Sequence, residues 1–362
     1  MKNLARLPLI LAVSSALALG CTKKAEAPQT KTQKKKVTTK AQAKPEKGPV
    51  CVTPWTTKGP VNKFSYAGFE ISSQGTQLNA KSAKPDKEFT FGVIADIKEN
   101  TPENQVNIKK ILEHFAANKV EAIVVPGDLG DTQVQIEEAL TMIGEAKLPI
   151  LSLIGNREGR TAYANAIKTS KASNPGLIDL NQHRLVTFDD VAFISVPGYH
   201  NKIYIHARDG CHYTPEDVEA TRAIAKAAEA KTRFLVSHGP PRQKGPKALD
   251  RTLEEANVGD PELQNFLRET NIPFGIFANI HEAGGRATDQ SGENIIQANQ
   301  FASSLYLNPG PADAVRWAMN DGTESVGMAA VVNVKGVEAK YSIFRIPLPD
   351  DSAQTATPSA TP

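Results

Sequence analysis

The chain has 362 residues, 40% of them hydrophobic, enough apolar material for one large domain around a single core. Its net charge of +3 is unevenly spread: residues 22–49 carry nine lysines against Glu26 and Glu46, residues 1–20 add two positive charges, and residues 50–362 are left at −6. An acidic folded part behind a basic stalk suits anionic lipid or cell wall and excludes a nucleic-acid-binding role.

The chain starts as a targeting segment. Lys2 and Arg6 precede a mostly apolar run over residues 7–19 that is too short to span a bilayer. The run ends in Leu17-Ala18-Leu19-Gly20-Cys21, which resembles the lipobox of bacterial lipoproteins, with Ala18 where leucine is more usual. The resemblance implies a signal peptide over 1–20, lipidation of Cys21 and a membrane anchor. Thr22 after that cysteine implies the outer membrane or cell surface. The alternative is an ordinary signal peptide with Cys21 incidental. Residues 21–49 form a Lys-rich tether with too little apolar content to fold, and its root-mean-square reach is about 30 Å. With Cys21 assigned to lipid, Cys51 and Cys211 remain, either as one disulfide of an exported protein or as two free thiols. Residues 349–362 are a Ser/Thr/Pro/Ala tail, which leaves 50–348 as the folded domain.

Within that domain residues 52–85 show no motif, although Trp55, Phe64, Tyr66 and Phe69 predict packing on the rest. Strands and helices alternate from residue 89 onward. A strand at 89–95 reaches Asp96, and Thr101-Pro102 opens a helix as N-cap and first-turn proline. Ile108, Ile111, Leu112 and Phe115 give that helix one apolar face. A strand at 122–125 reaches Gly127-Asp128, a helix covers 134–146, and a strand at 150–154 reaches Gly155-Asn156. Further strands are predicted at 191–196, 233–237 (ending at His238) and 274–277 (ending near Asn279 and His281). Helices are predicted at 215–228 and after Pro261. Residues 294–346 read as strands without helices, and no internal repeat is present.

Polar residues therefore arrive in order at the carboxyl ends of strands, where open α/β sheets bind ligands. They are Asp96; Gly127-Asp128-Leu129-Gly130-Asp131; Gly155-Asn156-Arg157-Glu158; Ser237-His238-Gly239-Pro240-Pro241; and Ala278-Asn279-Ile280-His281-Glu282. The series, with Leu307-Asn308-Pro309-Gly310 after it, resembles the calcineurin-like metallophosphoesterase superfamily over residues 88–312. The Ser237–Pro241 stretch and Ile280-His281-Glu282-Ala283-Gly284-Gly285 are similar to a branch resembling class III phosphodiesterases. The resemblance implies a mixed β-sandwich flanked by helices in four α/β/β/α layers, and a site for divalent Mn, Fe or Zn. Two such ions about 3.5–4 Å apart clamp the phosphoryl oxygens in enzymes of this kind. By position Asp128 would bridge the metals, Asp96 and His281 would ligate the first, and Asn156 and His238 the second. Glu158 and Asp131 would stand behind them.

Three expected histidines are replaced. Lys98 stands in D-x-H, Arg157 in G-N-H-[DE], and Asn279 in G-H-x-H. A charged Lys98 repels a cation or pairs with Asp96. Arg157 cannot donate a proton but can hold a phosphate oxygen. Asn279 offers a weak amide ligand. His114, His183, His200, His206 and His212 read as loop or surface residues, with a rescue by His200 as an alternative. Three functions stay open: a metal-dependent phosphoric ester hydrolase using one ion or an unusual pair; an inactive relative that binds a phosphate-containing small molecule without metal; and a cell-surface structural or protein-binding module.

Overall fold

A computed structural model describes residues 48–83 and 88–349. The lipobox with Cys21, most of the tether and the tail beyond Pro349 lie outside the described residues. No described helix is long and apolar enough to cross a membrane.

An antiparallel meander comes first, β1 (Val61–Tyr66), β2 (Phe69–Gln74) and β3 (Gln77–Ser82). Next come β4 (Glu88–Val93), α1 (Pro102–Ala117), β5 (Ala122–Val125), α2 (Gln133–Gly144), β6 (Ile150–Ser152), α3 (Arg160–Ser170) and β7 (Leu177–Asp179), whose strands pair in parallel. The chain continues through β8 (Leu185–Phe188), β9 (Val191–Val196), α4 (Pro215–Ala227), β10 (Thr232–Ser237), α5 (Pro261–Thr270) and β11 (Phe274–Ile276). It closes with β12 (Arg286–Thr288), β13 (Ile295–Ile296), β14 (Leu305–Asn308), the small hairpin β15 (Trp317–Ala318) and β16 (Glu324–Ser325), and the long hairpin β17 (Met328–Lys335) and β18 (Glu338–Arg345).

Besides the two-stranded β15-β16 pair, two large sheets result, ordered β1-β2-β3-β8-β9-β10-β11-β14-β12-β13 and β18-β17-β4-β5-β6-β7. Side chains alternate between sheet faces, and the core is divided accordingly. Phe89, Phe91 and Val93 of β4 meet Phe188, Phe193, Phe234 and Phe274 of the larger sheet in the layer between sheets. Ile123 and Val125 face the other way, toward Ile111 and Phe115 of α1 and Ile136 and Leu140 of α2. Ala192, Ile194 and Val196 pack on Val218 and Ile224 of α4 and Phe266 of α5. Three apolar interfaces between four layers give the α/β/β/α sandwich that the motifs imply. Gly92 admits the contact with α1, since a Cβ there would sit 2.6 Å from the Phe115 ring.

The cap signals hold: the Thr101 hydroxyl accepts from the Asn104 N–H at 3.2 Å with Pro102 behind it. Helix α3 was not visible because its N-cap is Gly159, which supplies no side-chain bond. Of residues 52–85, the described 52–83 do join the domain, as three added strands that bury Phe69, Ile71, Leu78 and Ala80. Tyr66 and Trp55 pack at their margins. Phe64 departs from expectation, because β1 is an edge strand and leaves it 37% exposed.

Cys51 and Cys211 form a disulfide across 160 residues of sequence. It ties the start of the domain to the loop between β9 and α4. Closing so long a loop restricts the unfolded chain, so the Cys51→Ser/Cys211→Ser variant is expected to lose about 2–5 kcal/mol. The urea midpoints of oxidised wild type and variant check this, and equal midpoints would contradict it.

Candidate metal centre

The strands β4, β5, β6, β10 and β11 deliver their motif residues to one edge of the sandwich. The chain turns sharply there: Asp96, Lys98, Asp128 and Asn279 all have positive φ, between 55° and 66°. Non-glycine residues adopt that conformation at a cost, and such residues gather at functional sites. Gly127, with φ of 104°, permits a close approach; a Cβ there would lie 2.7 Å from both Gly155 Cα and His238 Nδ1.

Asp128 and His238 are held in fixed orientations. One oxygen of Asp128, Oδ1, accepts the N–H groups of Asn156 and Arg157, each at 3.1 Å. His238 Nδ1 lies 2.8 Å from the Pro126 carbonyl. A carbonyl can only accept, so Nδ1 carries the proton and Nε2 of the neutral ring carries a lone pair. That Nε2 faces Asn156 Oδ1 at 3.1 Å and Asp128 Oδ1 at 3.3 Å. Asn156 is oriented by its Nδ2, which donates to the Tyr204 carbonyl at 2.8 Å. Three electron-rich atoms thus converge, and such a set is favourable only around a proton or a metal ion.

Asp96 makes the same demand more strongly. It is 1% exposed, and neither carboxylate oxygen has a hydrogen-bond partner. His281 Nε2, also buried and without a hydrogen bond, lies 3.5 Å from its Oδ1. Ligand atoms of Asp96, Asp128 and His238 lie within 4.8 Å of one another. An ionised carboxylate buried without partners is costly, and carboxylate oxygens with imidazole nitrogens form an ordinary donor set for Mn, Fe or Zn. The residues fit a divalent cation.

The charges support this reading. Burial opposes ionisation of Asp96, yet His281, then His238 and Lys98, hold its carboxyl well below the usual range. Burial also opposes a charged His238, but Asp128, Asp96 and Glu158 outweigh it and raise its pKa. Glu158, fully buried, accepts from Leu129 N–H at 2.5 Å and Gly155 N–H at 2.9 Å and so joins the two ligand loops. Burial first, then Asp128, push its carboxyl pKa upward.

The three replacements are placed differently from one another. Lys98 does not pair with Asp96, as expected from their adjacency in sequence; its Nζ lies 2.6 Å from Asp313 Oδ2. The reversed turn at 96–98 separates the two side chains around the buried Ile97, and the Asp313 partner comes from 215 residues away. Arg157 is gripped in two places by Asp131, Nε to Oδ1 at 3.0 Å and Nη2 to Oδ2 at 2.6 Å. Asn279 Nδ2 donates to the Tyr199 hydroxyl at 2.8 Å.

Lys98, Arg157 and Asn279, with Asp131 and Asp313, line a cleft of about 440 Å³ together with His281, His206 and Trp317. Asp313, Trp317 and His206 escaped the sequence reading. The first two closely follow Asn308-Pro309-Gly310, the only signal for them. His206 is a loop residue as expected, but its loop lies on Asn156, with the His206 N–H donating to the Asn156 carbonyl at 2.9 Å. His200 does not reach the cleft; its ring lies against Tyr199 and near Tyr213.

No family model and no curated protein matches the chain. Solved structures do. One crystal structure aligns with TM-score 0.54 at 12% identity over 72% of this chain and 100% of its own. TT1561 of Thermus thermophilus aligns with TM-score 0.49 at 11% identity, covering 70% and 98%. A dimetal phosphatase from Danio rerio aligns with TM-score 0.45 at 13% identity, covering 72% and 99%. Likeness at such identity concerns the fold alone and does not carry activity.

Proposed function

We propose that this protein is a metal-dependent phosphoric ester hydrolase that binds one divalent cation at Asp96, Asp128, Asn156, His238 and His281. The observation that carries the reading is the buried Asp96 carboxylate, whose two oxygens have no hydrogen bond within ordinary distance and whose one near partner is His281 Nε2, 3.5 Å from Oδ1. A structural module has no use for that arrangement, because each such group costs stability. When bound, the cation supplies Lewis-acid polarisation of a phosphoryl oxygen. The chain's own residues orient the site. Tyr204 and Pro126 aim Asn156 and His238 inward, and Glu158 locks the loops after β5 and β6 together. Arg157, half-committed to Asp131, keeps N–H donors for charge that develops on the phosphoryl group.

A second reading, binding without turnover, is favoured by one feature. Arginine stands where the family's leaving-group acid would be, and its guanidinium does not release a proton near neutrality. Asn279, tied to Tyr199, stays a weak ligand at best, which favours a single ion.

Titration calorimetry of the full chain with manganese is expected to show one site, weakened more than about 100-fold in Asp96→Asn, beyond what loss of an outer partner costs. Uptake should also weaken as pH falls, because the metal needs the unprotonated Nε2 of a histidine whose pKa is raised. Binding that is unchanged in Asp96→Asn would sink the metal reading. Turnover of aryl phosphate mono- and diesters by the loaded protein decides between hydrolysis and binding alone.

The lipobox-like Cys21 supports a membrane-anchored, exported location for this activity. Cys21→Ser is expected to move the full chain from the membrane to the soluble fraction, and continued sedimentation with membranes would refute the anchor.

A further inference from the structure

Lys98 is more than a lost histidine. Its side chain is 10% exposed, and its ammonium sits in a closed set of contacts. Nζ donates to Asp313 Oδ2 at 2.6 Å and lies 4.4 Å from the centre of the Trp317 ring. Trp317 Nε1 in turn donates to the other Asp313 oxygen at 2.8 Å. The base of this set is rigid. Pro311 bridges to Ala95 at the end of β4, the Ala312 N–H donates to the Ala95 carbonyl at 2.9 Å, and the Ala314 N–H donates to Asn104 Oδ1 in α1 at 2.6 Å. An ammonium has three donors. Asp313 takes one and the ring face accommodates the charge, which leaves donor capacity directed at the cleft that Lys98 lines.

The charge of the cleft gives that donor a use. Lys98 and Arg157 are the only lysine and arginine among the described residues lining it, against Glu99, Asp128, Asp131 and Asp313. A phosphoryl group entering beside one divalent cation would lack the second oxygen contact that a two-metal site provides. Arg157 is half-committed to Asp131. Lys98 lies two residues beyond Asp96 and acts electrostatically on its carboxylate.

Resting on the metal reading above, we propose that Lys98, locked by Asp313 and Trp317, donates a charge-assisted hydrogen bond to a non-bridging oxygen of the phosphoryl group, a contact that a second metal ion would otherwise make. The site is then a one-metal, one-lysine anion site for phosphoric esters. Asp313 and Trp317 are its positioning residues.

The test is phosphate binding by calorimetry with the manganese-loaded full chain, in parallel with metal stoichiometry. Lys98→Met is expected to leave one manganese per chain and to weaken inorganic phosphate about 10- to 100-fold, the size of a lost charge-assisted hydrogen bond. Lys98→Arg should restore most of that affinity. Melting temperature without ligands monitors folding. If Lys98→Met does not fold, the Lys98→Gln/Asp313→Asn pair, which removes both charges together, replaces it with the same expectation. Phosphate affinity unchanged in the neutral variant overturns the proposal, as do two manganese ions per wild-type chain. A wild type that takes up no manganese overturns the metal reading instead. Lys98 is then judged on phosphate alone: binding lost in the neutral variant upholds its role, and equal or absent binding overturns it.

Discussion

A carboxylate taken out of water has to be answered by hydrogen-bond donors or by positive charge, and one edge of this sandwich is arranged around two such carboxylates. Asp128 is answered by the backbone N–H groups of Asn156 and Arg157. Asp96 is answered chiefly by charge, with His281 3.5 Å from one oxygen and His238 and Lys98 around it. The backbone accepts left-handed conformations at both positions to bring these groups together. That local cost is carried by the three apolar interfaces beneath, where large phenylalanines fix the strands whose ends converge.

The supports of the site come from far along the chain. Tyr204, which orients Asn156, sits on the loop that the Cys51–Cys211 disulfide holds to the start of the domain. Asp313, which takes the charge of Lys98, follows the last strand of the larger sheet to pair with the parallel strands. The centre is therefore assembled by both sheets. Its two replaced cationic positions each have a dedicated acid, Asp313 for Lys98 and Asp131 for Arg157. Two mutually independent pairs of this kind keep the cleft from filling with unbalanced positive charge while leaving N–H donors available to an anion.

Much of this was legible in the sequence, for physical reasons that differ by element. Strands β4, β5 and β10 are apolar runs that end in a chemically distinctive residue, and α1 and α4 carry a threonine cap followed by proline, so both kinds of element signal themselves. Helix α3 starts at a glycine with no side-chain cap, and β7 and β8 are too short to show a period. The ligand residues were legible because each follows a strand directly. Lys98 misled, because nearness to Asp96 in sequence suggested a pair, whereas its Nζ is taken by Asp313, and no local pattern points to an acid 215 residues away. Trp317 and His206 belong to the site by position in space, not by spacing.

The most direct test of the central claim is a crystal of residues 48–349 soaked in manganese, with anomalous scattering measured at a wavelength where manganese scatters strongly. The account predicts one dominant peak within coordination distance of Asp96, Asp128 and His238, with Lys98 still on Asp313. A fully soaked crystal with no peak there, and with Asp96 hydrogen-bonded to a protein group, would contradict it.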